Sequence, residues 1–254
     1  MPLIDPADIE LSTLRALGDF AGRRVLEIGA GDGRLSCSLA AGAALWLAVD
    51  NDPDELRVAA EDLRANPLQP VHLLEADGQD LPLGPGSFDL ALFTWSLCCI
   101  PRDGMPAALA EAGRALRPGG QLLDVHPTPD PMQLEAWIAH RASASRQQPD
   151  PRDYRRVPLG AFGPDETLGD FSAASAAVDG AVPGFALQSR ITFDYRYFFD
   201  DLDALTDYLE ENDELELAGD ALLERALLAL GDATTPAWLV LIQPVVVSSL
   251  RKRG

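Results

Sequence analysis

Val25-Leu26-Glu27-Ile28-Gly29-Ala30-Gly31-Asp32-Gly33-Arg34 is a run in which a short apolar strand passes through a glycine-rich turn directly into a helix. Such a turn lets backbone N–H groups and the positive end of a helix approach a charged ligand closely. The glycines are spaced G-x-G-x-G. The dinucleotide fingerprint G-x-G-x-x-G needs a glycine at position 34, where Arg34 stands, so the pattern points away from NAD. A strand-to-helix turn on its own needs only one glycine, because one left-handed residue suffices to reverse the chain. Three of them imply a ligand that lies against the backbone.

Around this run, apolar and helix-forming stretches alternate. Arg24–Ile28 reads as a first strand, 33–41 as a small-residue helix stopped by Gly42, and Leu45–Val49 as a second strand, apolar throughout as a strand buried on both faces should be. Asp52-Pro53-Asp54-Glu55 caps a helix that runs to about Arg64 and stops before Asn66-Pro67. Val71–Leu74 and Phe88–Thr94 read as strands three and four. Met105–Leu116 reads as a helix broken by Pro118-Gly119-Gly120, and Gln121–Val125 as strand five. Ahead of all of them, Asp5-Pro6 offers a cap for a short helix ending near Gly18. The alternation predicts an α/β fold: a doubly wound, mostly parallel seven-stranded sheet with helices on both faces, its ligands at the carboxyl ends of the strands.

Four segments in this order resemble the class I S-adenosylmethionine-dependent methyltransferases, in particular their UbiE-like (type 11) small-molecule members, over roughly Phe20 to Val125. The first is the acidic residue, apolar residue and G-x-G-x-G of Glu27 to Gly33. Second is Asp50, which closes strand two about 20 residues beyond the glycines, where nucleotide-binding folds place a carboxylate for ribose hydroxyls. The third, Glu75-Ala76-Asp77-Gly78-Gln79-Asp80-Leu81-Pro82 followed by Ser87-Phe88-Asp89, is similar to the family's A-D-x-x-x-L-P and S-F-D elements. The fourth, Leu116-Arg117-Pro118-Gly119-Gly120, is architectural.

The resemblance implies a Rossmann-like methyltransferase fold with S-adenosyl-L-methionine as cofactor and S-adenosyl-L-homocysteine as product. Gly29, Ala30 and Gly31 would admit the methionine end, and Glu27 would orient its ammonium directly or through the turn. Asp50, with Asn51 beside it, would take the ribose. Asp77 would accept from the adenine amine while the Gly78 N–H donates to the ring, matching one donor and one acceptor on that edge. Thr94 and Trp95 would close the site at the end of strand four. Asp52, Asp80 and Asp89 are assigned to structure.

Composition narrows the partners. A chain of 254 residues with net charge −20 is repelled by a polyanionic backbone, and its single dense basic run, Arg251-Lys252-Arg253, reads as a frayed tail. Nucleic acid is therefore disfavoured. Between Asp194 and Asp220 stand 11 acidic residues and one basic residue, but Leu202, Leu205 and Leu209 form an apolar stripe that turns those carboxylates to solvent. No apolar stretch reaches the length of a membrane span, the start lacks the basic-then-apolar profile of a signal peptide, and Cys37, Cys98 and Cys99 form neither a disulfide framework nor a metal-spaced set. The expectation is a cytoplasmic protein without a metal, acting as a monomer or homodimer on a small-molecule acceptor.

Three parts are expected: a cofactor-binding core over 1–126, an insertion or lid over 127–185 holding one helix near Met132 to Ser145, and C-terminal strands and helices over 186–254 that complete the sheet and the acceptor pocket. In that last part, Ile191, Phe193, Tyr195, Tyr197 and Phe199 alternate with polar residues as a strand does. Helices are read at about 201–211 and 220–230, and a last strand at 237–247.

Methyl transfer from a sulfonium is an in-line displacement in which the protein chiefly orients the acceptor and excludes water. A base is needed only for a protonated acceptor, and His126, just after strand five, is the candidate. Cys98 and Cys99 read as buried strand-end residues, and Trp95, Trp137, Tyr154, Tyr195 and Tyr197 as a potential aromatic wall over the acceptor. Two rival functions fit the same residues: a non-catalytic cofactor-binding regulatory or assembly protein, and a protein methyltransferase.

Overall fold

The computed structural model describes residues 3–5, 7–65, 70–141, 144–162, 169–180, 182–210, 213–231 and 237–254, with the side chains of 213–221 also outside the description. Pro6, Asn66-Pro67 and the acidic side chains between 211 and 220, all used above, lie outside the described residues. The chain divides into two compact units.

One unit holds Leu11–Pro127, Gly169–Thr192 and Val246–Gly254. Its strands are β2 (Arg24–Ile28), β3 (Leu45–Asp50), β4 (Val71–Glu75), β5 (Phe88–Thr94) and β6 (Leu116–Pro127), counting as β1 the two-residue strand Leu3–Ile4 of the other unit. They pair in parallel in the order β6-β5-β2-β3-β4. Helices α1 (Ile9–Leu17), α2 (Arg34–Leu39), α3 (Pro53–Ala65) and α4 (Met105–Ala115) alternate with them, and α5 (Phe171–Asp179) follows later in the chain. Val25, Leu26, Ala48, Val49, Ala91, Leu92, Phe93, Leu122 and Leu123 are at most 2 % exposed or wholly buried with Ile28 and Leu90, which is why these strands read as unbroken apolar runs. From β2 the chain moves outward through β3 to β4, then returns to lay β5 and β6 on the other side of β2. The reversal opens a crevice at the carboxyl ends of β2 and β5, where α/β sheets bind ligands.

The doubly wound α/β fold expected from the alternation is present, but the described residues form ten strands instead of the seven expected. Its second strand extends by one residue, to Asp50, and Pro118-Gly119-Gly120 lies inside β6 instead of ahead of it, at a register shift opposite Phe88 and Leu90. Arg251 and Lys252 are no frayed tail: they end β10 (Ala237–Lys252), where Arg251 donates to the Gly119 carbonyl at 3.1 Å and the Lys252 ammonium to that of Leu116 at 2.5 Å.

The other unit holds 1–10, 128–168 and 193–245. Here the expected helix at 132–145 is instead β7 (Gln133–Ala139), antiparallel to β10 on one side and to β8 (Tyr154–Ala161) on the other, so the stretch after residue 127 contributes sheet. Leu134, Trp137 and Ile138 have helical spacing, but Ala136 and Ala139 between and after them are also buried, and a strand paired along both edges satisfies every backbone group. Trp137 packs with Tyr154, Phe198 and Trp238 into an aromatic core. Arg146 stacks on Trp238 at 4.6 Å and pairs with Asp200. The alternating strand is β9 (Phe185–Phe199), whose Tyr195, Tyr197 and Phe199 are buried, followed by α6 (Leu202–Glu210) and α7 (Asp213–Leu230). No helix among the described residues is long and apolar enough to cross a membrane.

Candidate cofactor site

The turn after β2 is shaped by residues in the left-handed region. Gly29 has φ +75°, and a Cβ there would fall 2.2 Å from Cβ of Ser96, so both its backbone angle and its neighbour demand glycine. Gly33, φ +78°, starts α2, and a Cβ on it would meet that of Ala59 on α3 at 2.9 Å. We expect Gly33→Ala to cost about 1–3 kcal/mol of stability, from left-handed strain plus overpacking. Gly42 also sits at a positive φ but has nothing within 4 Å of the added carbon, so Gly42→Ala should show the strain alone. Urea unfolding midpoints of the two variants separate the contributions, and equal losses would contradict the packing share.

Asp50 ties this turn to the end of β3. Its Oδ2 accepts from the Gly31 N–H at 2.7 Å and its Oδ1 from the Asp52 N–H at 2.9 Å, leaving a lone pair on each oxygen. Asp52 in turn accepts from Asp54 N at 2.8 Å as the cap of α3, its expected structural role. Asp77 stands on the loop after β4, where its Oδ1 accepts from the backbone N–H of Gln79 at 2.8 Å and from that side chain at 3.3 Å. Arg114 on α4 fixes the same loop. It donates to the carbonyls of Leu81 and Leu83 at 2.8 and 2.6 Å and pairs with Glu111, which accepts from Leu81 N.

These loops enclose a cavity of about 440 Å³ at the crevice. Gly29, Ala30, Gly31, Asp50, Asn51, Asp77, Gly78, Thr94 and Trp95 all line it, so nine of the expected site residues are brought together. The remaining two are not on its wall. Glu27 is fully buried, its carboxylate turned into the fold to accept from the Trp46 indole at 2.8 Å, the Ser36 hydroxyl, and Thr94 Oγ1 at 3.5 Å. Burial pushes its pKa up to about 7, against the lowering effect of those three donors. Its carboxylate does not reach the cavity wall. His126 is also fully buried and off the wall, with Asp124 on Nδ1 and Ser175 on Nε2. Of the expected site residues, it is therefore the one named as a base that this cavity wall does not include.

Of the aromatic residues named for a wall, Trp95 borders the cavity; Trp137 and Tyr154 belong to an aromatic core of the other unit, and Tyr195 and Tyr197 pair edge-on within that unit. Trp95 carries φ +59°, a conformation rare for a bulky side chain and characteristic of functional sites, and its N–H donates to the Val125 carbonyl at 2.8 Å. Ser96, on the wall beside it, donates to the Ile28 carbonyl at 2.5 Å and so joins the ends of β5 and β2. Cys99, expected to be buried, is exposed on the wall and donates to the Trp95 carbonyl at 3.1 Å, whereas Cys98 is buried. Hydrogen bonding between the two thiols lowers the pKa of Cys99 and raises that of Cys98. Ser96, Gln79 and Cys99 are wall residues that the motifs do not assign; their position beside a motif residue is the only signal in the sequence.

The chain is similar to known proteins. Residues 25–120 match a family model described as a methyltransferase domain. The demethylmenaquinone methyltransferase of Clavibacter sepedonicus is 34 % identical over 115 residues, which are 44 % of this chain and 44 % of that protein. The chain thus matches less than half the length of that curated relative. Among solved structures, the YcgJ protein of Bacillus subtilis superposes with a TM-score of 0.58 at 14 % identity, covering 96 % of this chain and 97 % of that one. The 4+2 cyclase SpnF does so at 0.54 and 18 % identity, covering 97 % and 82 %. At such identities the superpositions establish the fold, and a cyclase among them shows that the fold alone does not fix the reaction. The family match, its four ordered segments and the glycine turn that shares one cavity wall with Asp50 and Asp77 identify residues 25–120 as a class I S-adenosylmethionine-dependent methyltransferase domain.

Proposed function

We propose that the chain binds S-adenosylmethionine in the 440 Å³ cavity and transfers its methyl group to a small-molecule acceptor in the cytoplasm. The observation that carries this reading is the polar lining of the cavity: two carboxylates with unused lone pairs, Asp77 and the Asp50 that holds the Gly31 N–H, share one wall with the glycine turn. The set fits an adenosyl group, because ribose hydroxyls and an exocyclic amine are donors and a carboxylate is an acceptor only. When bound, the cofactor supplies an activated methyl on a sulfonium. The chain's own contribution is orientation and exclusion of water: Asp50 and Asp77 anchor the nucleoside, the Gly29–Gly31 turn takes the amino-acid end, and Trp95 covers the side where an acceptor approaches. The family relative named for demethylmenaquinone supports an acceptor of small-molecule class.

Titration calorimetry with S-adenosylhomocysteine is expected to show saturable one-site binding, and Asp77→Ala should weaken it about tenfold, on the order of 1.4 kcal/mol for one lost charged hydrogen bond. An absence of binding at millimolar ligand would reject the reading. One observation favours a second function, a cofactor-binding protein without turnover: the candidate base, His126, is fully buried with both ring nitrogens engaged by Asp124 and Ser175. Methyl consumption against a panel of phenols, amines and carboxylates separates the two, since binding without turnover on any of them supports the second.

A further inference from the structure

β6 carries two buried polar side chains that the cofactor cavity leaves unused. Asp124 and His126 are two residues apart, on the same face of the strand, and both are fully buried. Asp124 Oδ2 lies 2.7 Å from His126 Nδ1, and His126 Nε2 lies 2.9 Å from Oγ of Ser175 on α5. With Nδ1–H donating to the carboxylate, Nε2 keeps its lone pair, so the Ser175 hydroxyl is the donor in the second bond. The other Asp124 oxygen, Oδ1, is buried with no hydrogen-bond partner among the described residues, which leaves the imidazole as the one group that carboxylate orients. Exposure follows the same order as the bonds. Asp124 and His126 are shielded, while Ser175 is partly exposed.

We propose that Ser175 is an activated nucleophile, with His126 as its base and Asp124 as the orienting group, and that it accepts acyl or phosphonyl groups from donors with a good leaving group. Nucleophile, base and orienter stand at hydrogen-bond distances in the required sequence. In the reaction the Ser175 Oγ forms a bond to the acyl carbon while its proton passes to His126 Nε2. The bond from that carbon to the leaving group breaks, and the leaving group departs with the proton. Water, deprotonated by the same nitrogen, then displaces the acyl group as the free acid and restores the hydroxyl. None of the three residues borders the cofactor cavity, so this site does not depend on the methyltransferase reading.

The test uses the full chain, a fluorophosphonate probe and peptide mass spectrometry. Ser172, exposed on the same helix and without an imidazole partner among the bonds described, serves as the internal reference. Ser175 is expected to label at least tenfold faster than Ser172, and His126→Gln to remove that advantage while circular dichroism remains unchanged. Labelling of Ser175 no faster than Ser172 overturns the proposal, as does equally fast labelling of a folded His126→Gln. Should His126→Gln not fold, the ratio of the two serines in the unmodified chain decides.

Discussion

Asp50→Ala is expected to weaken S-adenosylhomocysteine binding by about 100-fold, near 3 kcal/mol. The loss exceeds that at Asp77 because Asp50 acts twice. Its two oxygens hold the Gly31 and Asp52 N–H groups at 2.7 and 2.9 Å, so the alanine leaves both donors without that acceptor and frees the turn that faces the amino-acid end of the ligand. It also removes the acceptor offered to the ribose. Asp50→Asn is the informative companion: the amide retains one acceptor oxygen but sets an NH2 against the second N–H, and should recover part of the loss. Calorimetry on the three proteins checks this, and a change below about threefold for the alanine would contradict the assignment.

Glu27→Gln should change how stability depends on pH. The carboxyl titrates at about 7 in the folded chain, raised by burial from 4.5. Between those values the folded chain holds a proton that the unfolded chain has released, so the stabilising contribution is complete below pH 4.5 and is lost as pH rises through 7. That interval corresponds to about 3 kcal/mol. Glutamine is neutral throughout. Its carbonyl oxygen, in the place of Oε2, can accept from both the Trp46 indole and the Ser36 hydroxyl, and its NH2, in the place of Oε1, can donate to the Thr94 hydroxyl, which accepts as readily as it donates. The unfolding free energy of the variant should therefore gain about 3 kcal/mol on that of the parent between pH 4.5 and about 8, with the many surface carboxylates cancelling in the comparison. Parallel urea-unfolding curves across this range would mean that Glu27 ionises freely in the fold.

The core was legible because its strands are buried on both faces and punctuated by glycine, proline and aspartate. β5 falls at Phe88–Thr94 as read, and the nine wall residues come from motifs whose chemistry is local to a turn. What lay outside the motifs depended on direction, which spacing does not encode. Strand five places His126 at its end, but the pleat points the ring away from the crevice, whereas Cys99 ends a 3-10 turn that carries it onto the wall. β7 was hidden for a related reason. Leu134, Ala136, Trp137 and Ala139 are buried on both faces of the strand, and a short apolar run of that kind can match helical spacing by chance. The left-handed backbone of Trp95 has no sequence signature at all, since glycine or asparagine would be the residues to announce it.

The hydroxyl of Ser96 clasps the carbonyl of Ile28 where the strand order reverses, so the two halves of the parallel sheet are stitched at the mouth of the crevice. A molecule lodged there touches loops that the chain lays down far apart in sequence and works as a keystone between them. Occupancy should on this account delay thermal unfolding of the whole parallel sheet, in proportion to the logarithm of ligand concentration.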